Sequence, residues 1–149
     1  MNIQFNIKED PLDPDLFDGI SRRIAESFVR EVEDEYTRKK KRLGVGKTQI
    51  RRLYDEVKRF EQKLDGTEKT WKEQQPYFNM IKSKLSYNIA RAKEKAKDPT
   101  TAAGYKNLSD FIESGVKQVQ ADSEKYYHVF AILFEAVYGF YYENAPKEN

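Results

Sequence analysis

A row of basic residues lies on one side of a helix that the sequence predicts between Thr48 and Leu64. At about 100° per residue, the apolar residues of this helix cluster in one direction and the basic residues point the other way. The basic residues are Arg51, Arg52, Lys58, Arg59 and Lys63, with Asp55 as the one acid among them. Because the arginine guanidinium binds phosphate through two N–H groups, the row favours contact with a phosphate backbone. A plain solvated face is the alternative.

The start of the same helix is a second feature that attracts anions. Lys47, Thr48 and Gln49 stand at its N-terminus, where free backbone N–H groups and the helix dipole favour a negative group. Lys47 and Gln49 therefore join the candidate nucleic-acid-binding residues.

The next helix carries a line in which cations and aromatic or apolar residues alternate. The line consists of Met80, Lys84, Tyr87 and Arg91, flanked by Tyr77 and Lys95. Such a line suits single-stranded nucleic acid, since bases stack on the ring while the cations follow the backbone. The alternative is that Tyr87 packs on a neighbouring helix. The basic run Arg38–Arg42 is a weaker candidate, either an accessory arm or a run without function.

No catalytic or metal site is predicted. The segment from Gly44 to Thr48 resembles the end of a phosphate-binding P-loop, but Lys41 occupies the position of the required first glycine. There is no cysteine and only one histidine, His128, which excludes thiolate chemistry and multi-histidine metal sites. We expect His128 to be a hydrogen-bonded residue of the core or of a contact between subunits. The sequence therefore predicts a non-enzyme without a cofactor.

Charge is unevenly distributed along a chain of 149 residues whose net charge is only +2. Residues 36–63 carry a net +8 and residues 69–97 a net +6, whereas residues 1–35 carry −6 and residues 98–149 carry −4. A basic middle between acidic ends presents one positive surface, and the natural partner of such a surface is a phosphate backbone.

Helical periodicity extends over most of the chain. The first helix is predicted from Pro14 to about residue 41, the second from Thr48 to Leu64, and the third from Pro76 to about Lys97. Residues 67–75 stay open, because Thr70 to Glu73 has the pattern of a capping box whereas Pro76 would kink a helix that passes through it. After a loop over residues 98–104 comes a fourth helix from Tyr105. A fifth, capped by Asp122 and Ser123, is apolar on nearly every side from Tyr126 to Tyr142.

These elements predict an all-α fold, a compact bundle of about five helices around an apolar central C-terminal helix. We expect a single domain over residues 1–149, with a variable N-terminal part over residues 1–44 and frayed residues at 145–149. No apolar run approaches the roughly 18 residues that span a bilayer, and the N-terminus lacks the pattern of a secretion signal. The expected location is the cytoplasm.

Three sequence blocks together resemble one known family. They are Lys47–Tyr54 (KTQIRRLY), Lys84–Tyr87 (KLSY) followed by Arg91, and Phe134–Phe140 (FEAVYGF). Their order, spacing and helical setting resemble the small subunit of the type III-A CRISPR effector, the Csm complex.

The resemblance implies a non-catalytic structural subunit without a cofactor. Several copies would stack on one another beside the other subunits and support the guide RNA and target RNA through backbone contacts. The residues that would line the RNA groove are Lys47, Arg51, Arg52, Lys84 and Arg91, while Phe134 and Phe140 would be core.

Two alternatives remain open from the residues alone. The first is a helical DNA-binding regulator, in which Gln49 and Arg52 read bases in a major groove. The second is a protein-interaction bundle without nucleic acid, in which the basic row meets an acidic partner.

Overall fold

The computed structural model describes residues 3–119 and 124–147 and consists mainly of helices. A π-helical turn, Leu16–Ile20, leads into α1 (Ser21–Glu26), β1 (Val29–Glu33) and β2 (Lys40–Gly44), followed by α2 (Lys47–Asp65), α3 (Trp71–Glu94), α4 (Pro99–Val119) and α5 (Glu124–Asn144). The prediction of an all-α bundle of about five helices is confirmed for the described residues, with one small antiparallel sheet added.

The core is built around α5, which packs against α1, α2 and α4. Its buried residues are Tyr127, Phe130, Ala131, Leu133, Phe134, Val137 and Tyr141. They belong to one hydrophobic cluster that includes residues from every other helix, as expected for a helix that is apolar on most sides. The predicted cap at Asp122 and Ser123 lies outside the described residues.

Two buried tyrosine hydroxyls attach α5 to the segments around α2. Tyr127 donates a hydrogen bond to the carbonyl of Val57 in α2 (2.7 Å), and Tyr141 donates one to the carbonyl of Val45, just before α2 (2.5 Å). Burial raises the pKa of both tyrosines far above the ordinary value, so both hydroxyls stay protonated and remain donors.

The two phenylalanines of the third sequence block have different surroundings. Phe134 is fully buried, so its expected place in the core is confirmed. Phe140 is only half-buried, and the guanidinium of Arg22 lies 4.4 Å from the centre of its ring.

The predicted start of α3 at Pro76 is wrong, because the helix begins at Trp71 and so includes most of the segment that the sequence left open. The hydroxyl oxygen of Thr70 accepts a hydrogen bond from the backbone N–H of Glu73 (3.3 Å) and caps the helix. Trp71 also packs against Phe78 with ring centroids 5.5 Å apart. The cap and this contact hold the first turns helical, although Pro76 cannot donate a backbone hydrogen bond.

The predicted loop over residues 98–104 is also wrong, because α4 begins at Pro99. Asp98 caps the helix by accepting hydrogen bonds from the backbone N–H and the hydroxyl of Thr101 (2.7 and 2.8 Å). Proline is well suited to the first helical position. Gly104 is not a loop residue: a Cβ there would lie 2.5 Å from the carbonyl oxygen of Phe28, so glycine allows the backbone at Phe28 to approach α4.

The largest difference from the sequence prediction is the hairpin formed by β1 and β2. The first helix ends at Glu26 rather than near residue 41, and the two strands pair antiparallel from Val29 opposite Gly44 to Glu33 opposite Lys40. In the turn, the Asp34 carboxylate accepts hydrogen bonds from the backbone N–H groups of Tyr36 and Thr37 (2.8 and 3.0 Å).

Charge pairing across the strands favours the hairpin. In a continuous helix, favourable pairs four residues apart, such as Asp34 with Arg38, would be offset by unfavourable ones, such as Glu31 with Glu35 and Arg38 with Arg42. The hairpin instead places Glu31 opposite Arg42 and Glu33 opposite Lys40, and such opposite-charge pairs stabilise a sheet. The spacing of Phe28, Val32 and Tyr36 fits a helix equally well, so apolar periodicity alone predicted the wrong element.

We predict opposite effects for two glycine-to-alanine changes within helices. Gly104→Ala forces a methyl group against the Phe28 carbonyl and should lower the free energy of unfolding by about 1–3 kcal/mol. Gly139→Ala has no atom within 4 Å of the added methyl and should raise it by about 0.5–1 kcal/mol through helix propensity. Urea unfolding followed by far-ultraviolet circular dichroism measures both, and equal effects would contradict the close approach at Gly104.

Candidate nucleic-acid interface

A groove between α2 and α3 brings together cations from the two predicted rows. Gln49 and Arg52 of α2 face Arg91 and Lys95 of α3 across a cleft of about 230 Å³. The remaining lining residues are Leu53, Asn88 and Ala92. The lining residues of each helix are three or four positions apart, at 49 and 52 in α2 and at 88, 91 and 95 in α3. Each set therefore lies on one face of its helix. We call this cleft the α2/α3 groove.

The three cations of the α2/α3 groove are available to a ligand. Within residues 3–119 and 124–147, none of Arg52, Arg91 and Lys95 forms an ion pair with the protein's own carboxylates, and all three side chains are exposed. Gln49 and Asn88 add amide groups that donate and accept hydrogen bonds. The groove can therefore hold an anionic ligand by charge and by hydrogen bonding.

Glu56 is a residue that the sequence interpretation missed. Its carboxylate is 3.0 Å from Nη1 of Arg59 and 3.4 Å from Nζ of Lys84. Glu56 therefore links α2 to α3 at a point after Arg52 in α2 and before Arg91 in α3. Two of the predicted site residues, Arg59 and Lys84, are therefore partly neutralised. The spacing of Glu56 and Arg59 could have suggested one of these pairs, but the contact with Lys84 depends on helix packing.

Three other predicted site residues lie on the opposite side of α2, towards α5. Nζ of Lys47 is 4.1 Å from the ring centre of Tyr142 in α5. Lys58 pairs with Glu61 (3.0 Å), and the hydrogen bond that it donates there raises the pKa of Lys58. Arg51, four residues after Lys47, lies on this side as well. The row that the helical wheel treated as one face is therefore divided between two sides of α2.

Tyr87 lies on the outer surface of α3, next to the line of Lys84 and Arg91. Its side chain is 61% exposed, so the alternative that it packs on a neighbouring helix is wrong. Met80 and Tyr77 are also exposed on this surface. The predicted alternation of cations and rings on α3 is present at the surface beside the α2/α3 groove.

His128 joins α5 to α2 at the edge of the core. Its Nδ1 lies 3.1 Å from the carboxylate of Glu61, and its Nε2 lies 3.5 Å from that of Asp65. The expected hydrogen bonding of His128 is confirmed, and these two partners belong to α2 of the same chain. Glu135 has a different partner, since it accepts a hydrogen bond from the hydroxyl of Tyr54 (3.0 Å).

In the part of the chain that the structure describes, no three histidine or carboxylate side chains are grouped as metal ligands would be. None of the described helices combines the length and the apolar character of a membrane span.

The fold and the groove define a small helical bundle with a cationic surface. A family model described as Csm2 Type III-A matches residues 23–145. Because this match covers most of the chain, the chain belongs to the Csm2 Type III-A family, whose members are structural subunits of the type III-A CRISPR effector complex. The resemblance found in the three sequence blocks is thus confirmed. No curated protein and no solved structure matches the chain significantly.

Proposed function

We propose that the chain is a non-catalytic RNA-binding subunit of its complex and acts in the cytoplasm. Its α2/α3 groove would bind the backbone of guide RNA or target RNA, and several copies would stack beside the other subunits. Base pairing between guide and target would read the sequence, so the protein would need only phosphate and sugar contacts. The observation that carries this proposal is the convergence of Arg52, Arg91 and Lys95 in one groove without an ion-pair partner among the described residues.

Charge in the groove together with an exposed ring beside it supports RNA over a protein partner. Arginine forms paired hydrogen bonds with phosphate and with carboxylate oxygens, and two arginines face each other here from different helices. The neighbouring Tyr87 ring is exposed and could stack on a base. A single-stranded RNA or the edge of a guide–target duplex would satisfy both kinds of group.

The first test measures how salt affects binding of the isolated protein to single-stranded RNA. If about four to six phosphates are neutralised, log affinity should fall with log salt concentration at a slope of roughly −3 to −4. Fluorescence anisotropy with a labelled RNA measures the slope, and a duplex DNA of equal length is the comparison. Binding that does not depend on salt, or that favours duplex DNA, would contradict the proposal.

The second test reverses the charge of the groove. Arg52→Glu combined with Arg91→Glu should weaken RNA binding at least tenfold and leave helical content unchanged, because both side chains are exposed. Lys72→Glu combined with Lys117→Glu makes the same change in net charge outside the groove and should have a much smaller effect. A larger loss from Lys47→Glu combined with Arg51→Glu would show that RNA lies on the α5 side of α2 instead.

A third prediction concerns Glu56. Glu56→Gln removes the carboxylate that holds Arg59 and Lys84, so RNA binding should become on the order of three- to tenfold tighter at low salt. The salt slope should steepen by roughly one, as one or two more cations reach phosphates. Unchanged affinity would mean that RNA does not reach this part of the groove.

The assembly part of the proposal has its own test. The tagged protein, expressed from its native locus, should purify with a guide RNA and the other subunits of the type III-A complex. Recovery of the subunits without RNA would leave the protein-interaction alternative as the better account.

A further inference from the structure

The hairpin of β1 and β2 is a projecting element that the α2/α3 groove does not use. Five residues per strand give it a length of about 17 Å, and its base is held by the approach of Phe28 to Gly44 and Gly104. The basic run Arg38–Arg42 forms the end of its turn and most of β2. The run Arg38–Arg42, the weakest candidate from the sequence, is therefore part of an ordered hairpin.

On one face of the hairpin, basic and acidic side chains lie together and offset each other's charge. Side chains alternate between the two faces along a strand, so the register places Glu31, Glu33, Lys40 and Arg42 on the same face. Lys40 pairs with Glu31 (3.8 Å), and Arg42 donates a hydrogen bond to the backbone carbonyl of Glu143 (2.8 Å). We call this the paired face.

The other face carries cations and no carboxylate from either strand, although the charge of Lys41 also acts on Asp34 and Asp98. It contains Arg30, Lys41, Val32 and Leu43, and the same alternation adds Lys39, the residue before β2. Within the described residues, none of the three cations forms an ion pair. We call this the cationic face. The acidic residues of β1 therefore do not cancel the charge that the cationic face presents.

The tip of the hairpin holds an aromatic ring in solvent. Tyr36 is 94% exposed, the most exposed large hydrophobic side chain among the described residues. The backbone that carries it is held in place, because the Asp34 carboxylate accepts hydrogen bonds from the N–H groups of Tyr36 and Thr37 and Arg38 closes the turn with φ = 59°. The backbone hydrogen bond from Thr37 is the main cause that lowers the pKa of Asp34, so the cap is ionised at neutral pH.

The cationic face and the α2/α3 groove lie at the same end of the bundle. β2 leads through Val45 and Gly46 directly into α2, whose first turns carry Gln49 and Arg52 of the groove. Lys41 also lies near the connection between α3 and α4. There, its charge adds to the hydrogen bonds from Thr101 that lower the pKa of Asp98.

We propose that the hairpin is a second RNA-contacting element, in which Tyr36 stacks on an unpaired base and Lys39 and Lys41 bind the flanking phosphates. An exposed ring beside cations is the arrangement that binds single strands without sequence preference. The ligand is the single-stranded RNA that continues beyond the α2/α3 groove. This inference rests on the proposed function, since it assumes that the groove binds RNA.

The first test changes the ring alone. Tyr36→Ala should weaken binding to a single-stranded RNA longer than the groove by about fivefold or more, whereas Tyr36→Phe should bind as the unchanged protein does. Folding is not at risk, because the side chain makes no buried contact. Equal affinity of the alanine variant and the unchanged protein would overturn the proposal.

Photocrosslinking provides a readout that charge alone would not produce. An RNA that carries 5-iodouridine should crosslink to the tryptic peptide Glu31–Arg38, which contains Tyr36, and the yield should fall in Tyr36→Ala and persist in Tyr36→Phe. Crosslinks confined to α2 and α3 peptides would overturn the role of the hairpin while supporting the groove.

The third test uses the alternation of side chains between the two faces of the hairpin along β2. Lys39→Ala combined with Lys41→Ala should weaken RNA binding about three- to tenfold and make the salt slope shallower by roughly one. Lys40→Ala, one residue away on the paired face, should change neither quantity appreciably.

The pattern of results distinguishes the two proposals. Loss of binding in Arg52→Glu/Arg91→Glu but not in the hairpin variants would leave the proposed function standing and reject the hairpin. Loss in neither set would reject both. If the hairpin variants bind RNA normally but no longer purify with the other subunits, the hairpin contacts an acidic protein surface and the RNA proposal is wrong.

Discussion

The hydrogen bonds of Tyr127 and Tyr141 to the backbone around α2 are the interaction on which the arrangement of the surface depends. The apolar stripe of α2 fixes which of its faces is buried, but α5 is apolar on most sides, so burial alone sets the position of α2 along α5 only loosely. A buried hydroxyl without a partner is costly, and each tyrosine finds its acceptor only when Val57 and Val45 are correctly placed. Together, the stripe and these two hydrogen bonds place some residues of α2 towards α3 and others towards α5.

The division of the basic row follows from that placement of α2 between α3 and α5, and it explains the limits of the sequence prediction. Apolar spacing identified α2 with nearly correct ends and placed the bundle in the right class. It could not show that Arg52 faces Arg91 of α3, or that Arg51 and Lys58 lie on the side of α2 towards α5. A helical wheel gives the direction of each side chain within one helix, but it does not show which helices lie next to it. The pairing of Glu56 with Lys84 was hidden for the same reason, since it joins residues from two helices.

The errors in the secondary structure predicted from the sequence have a common cause. The hairpin, the early start of α4 and the early start of α3 depend on polar contacts between residues two or three apart: the Asp34 turn, the Asp98 cap and the Thr70 cap. Hydrophobic periodicity does not detect such contacts. The Thr70 to Glu73 capping pattern was visible in the sequence, but Pro76 obscured its meaning. Gly104 was read as a loop residue, although its role is to let another segment approach.

The glycine contacts at the base of the hairpin have a mechanical consequence. Phe28, Gly44 and Gly104 are packed backbone against backbone, and such a joint has no long side chains that could yield by changing rotamer. The distal turn, in contrast, is surrounded by water. The ribbon is therefore anchored rigidly at its base, so the direction in which it leaves the bundle is set by backbone contacts and does not change with side-chain rotamers.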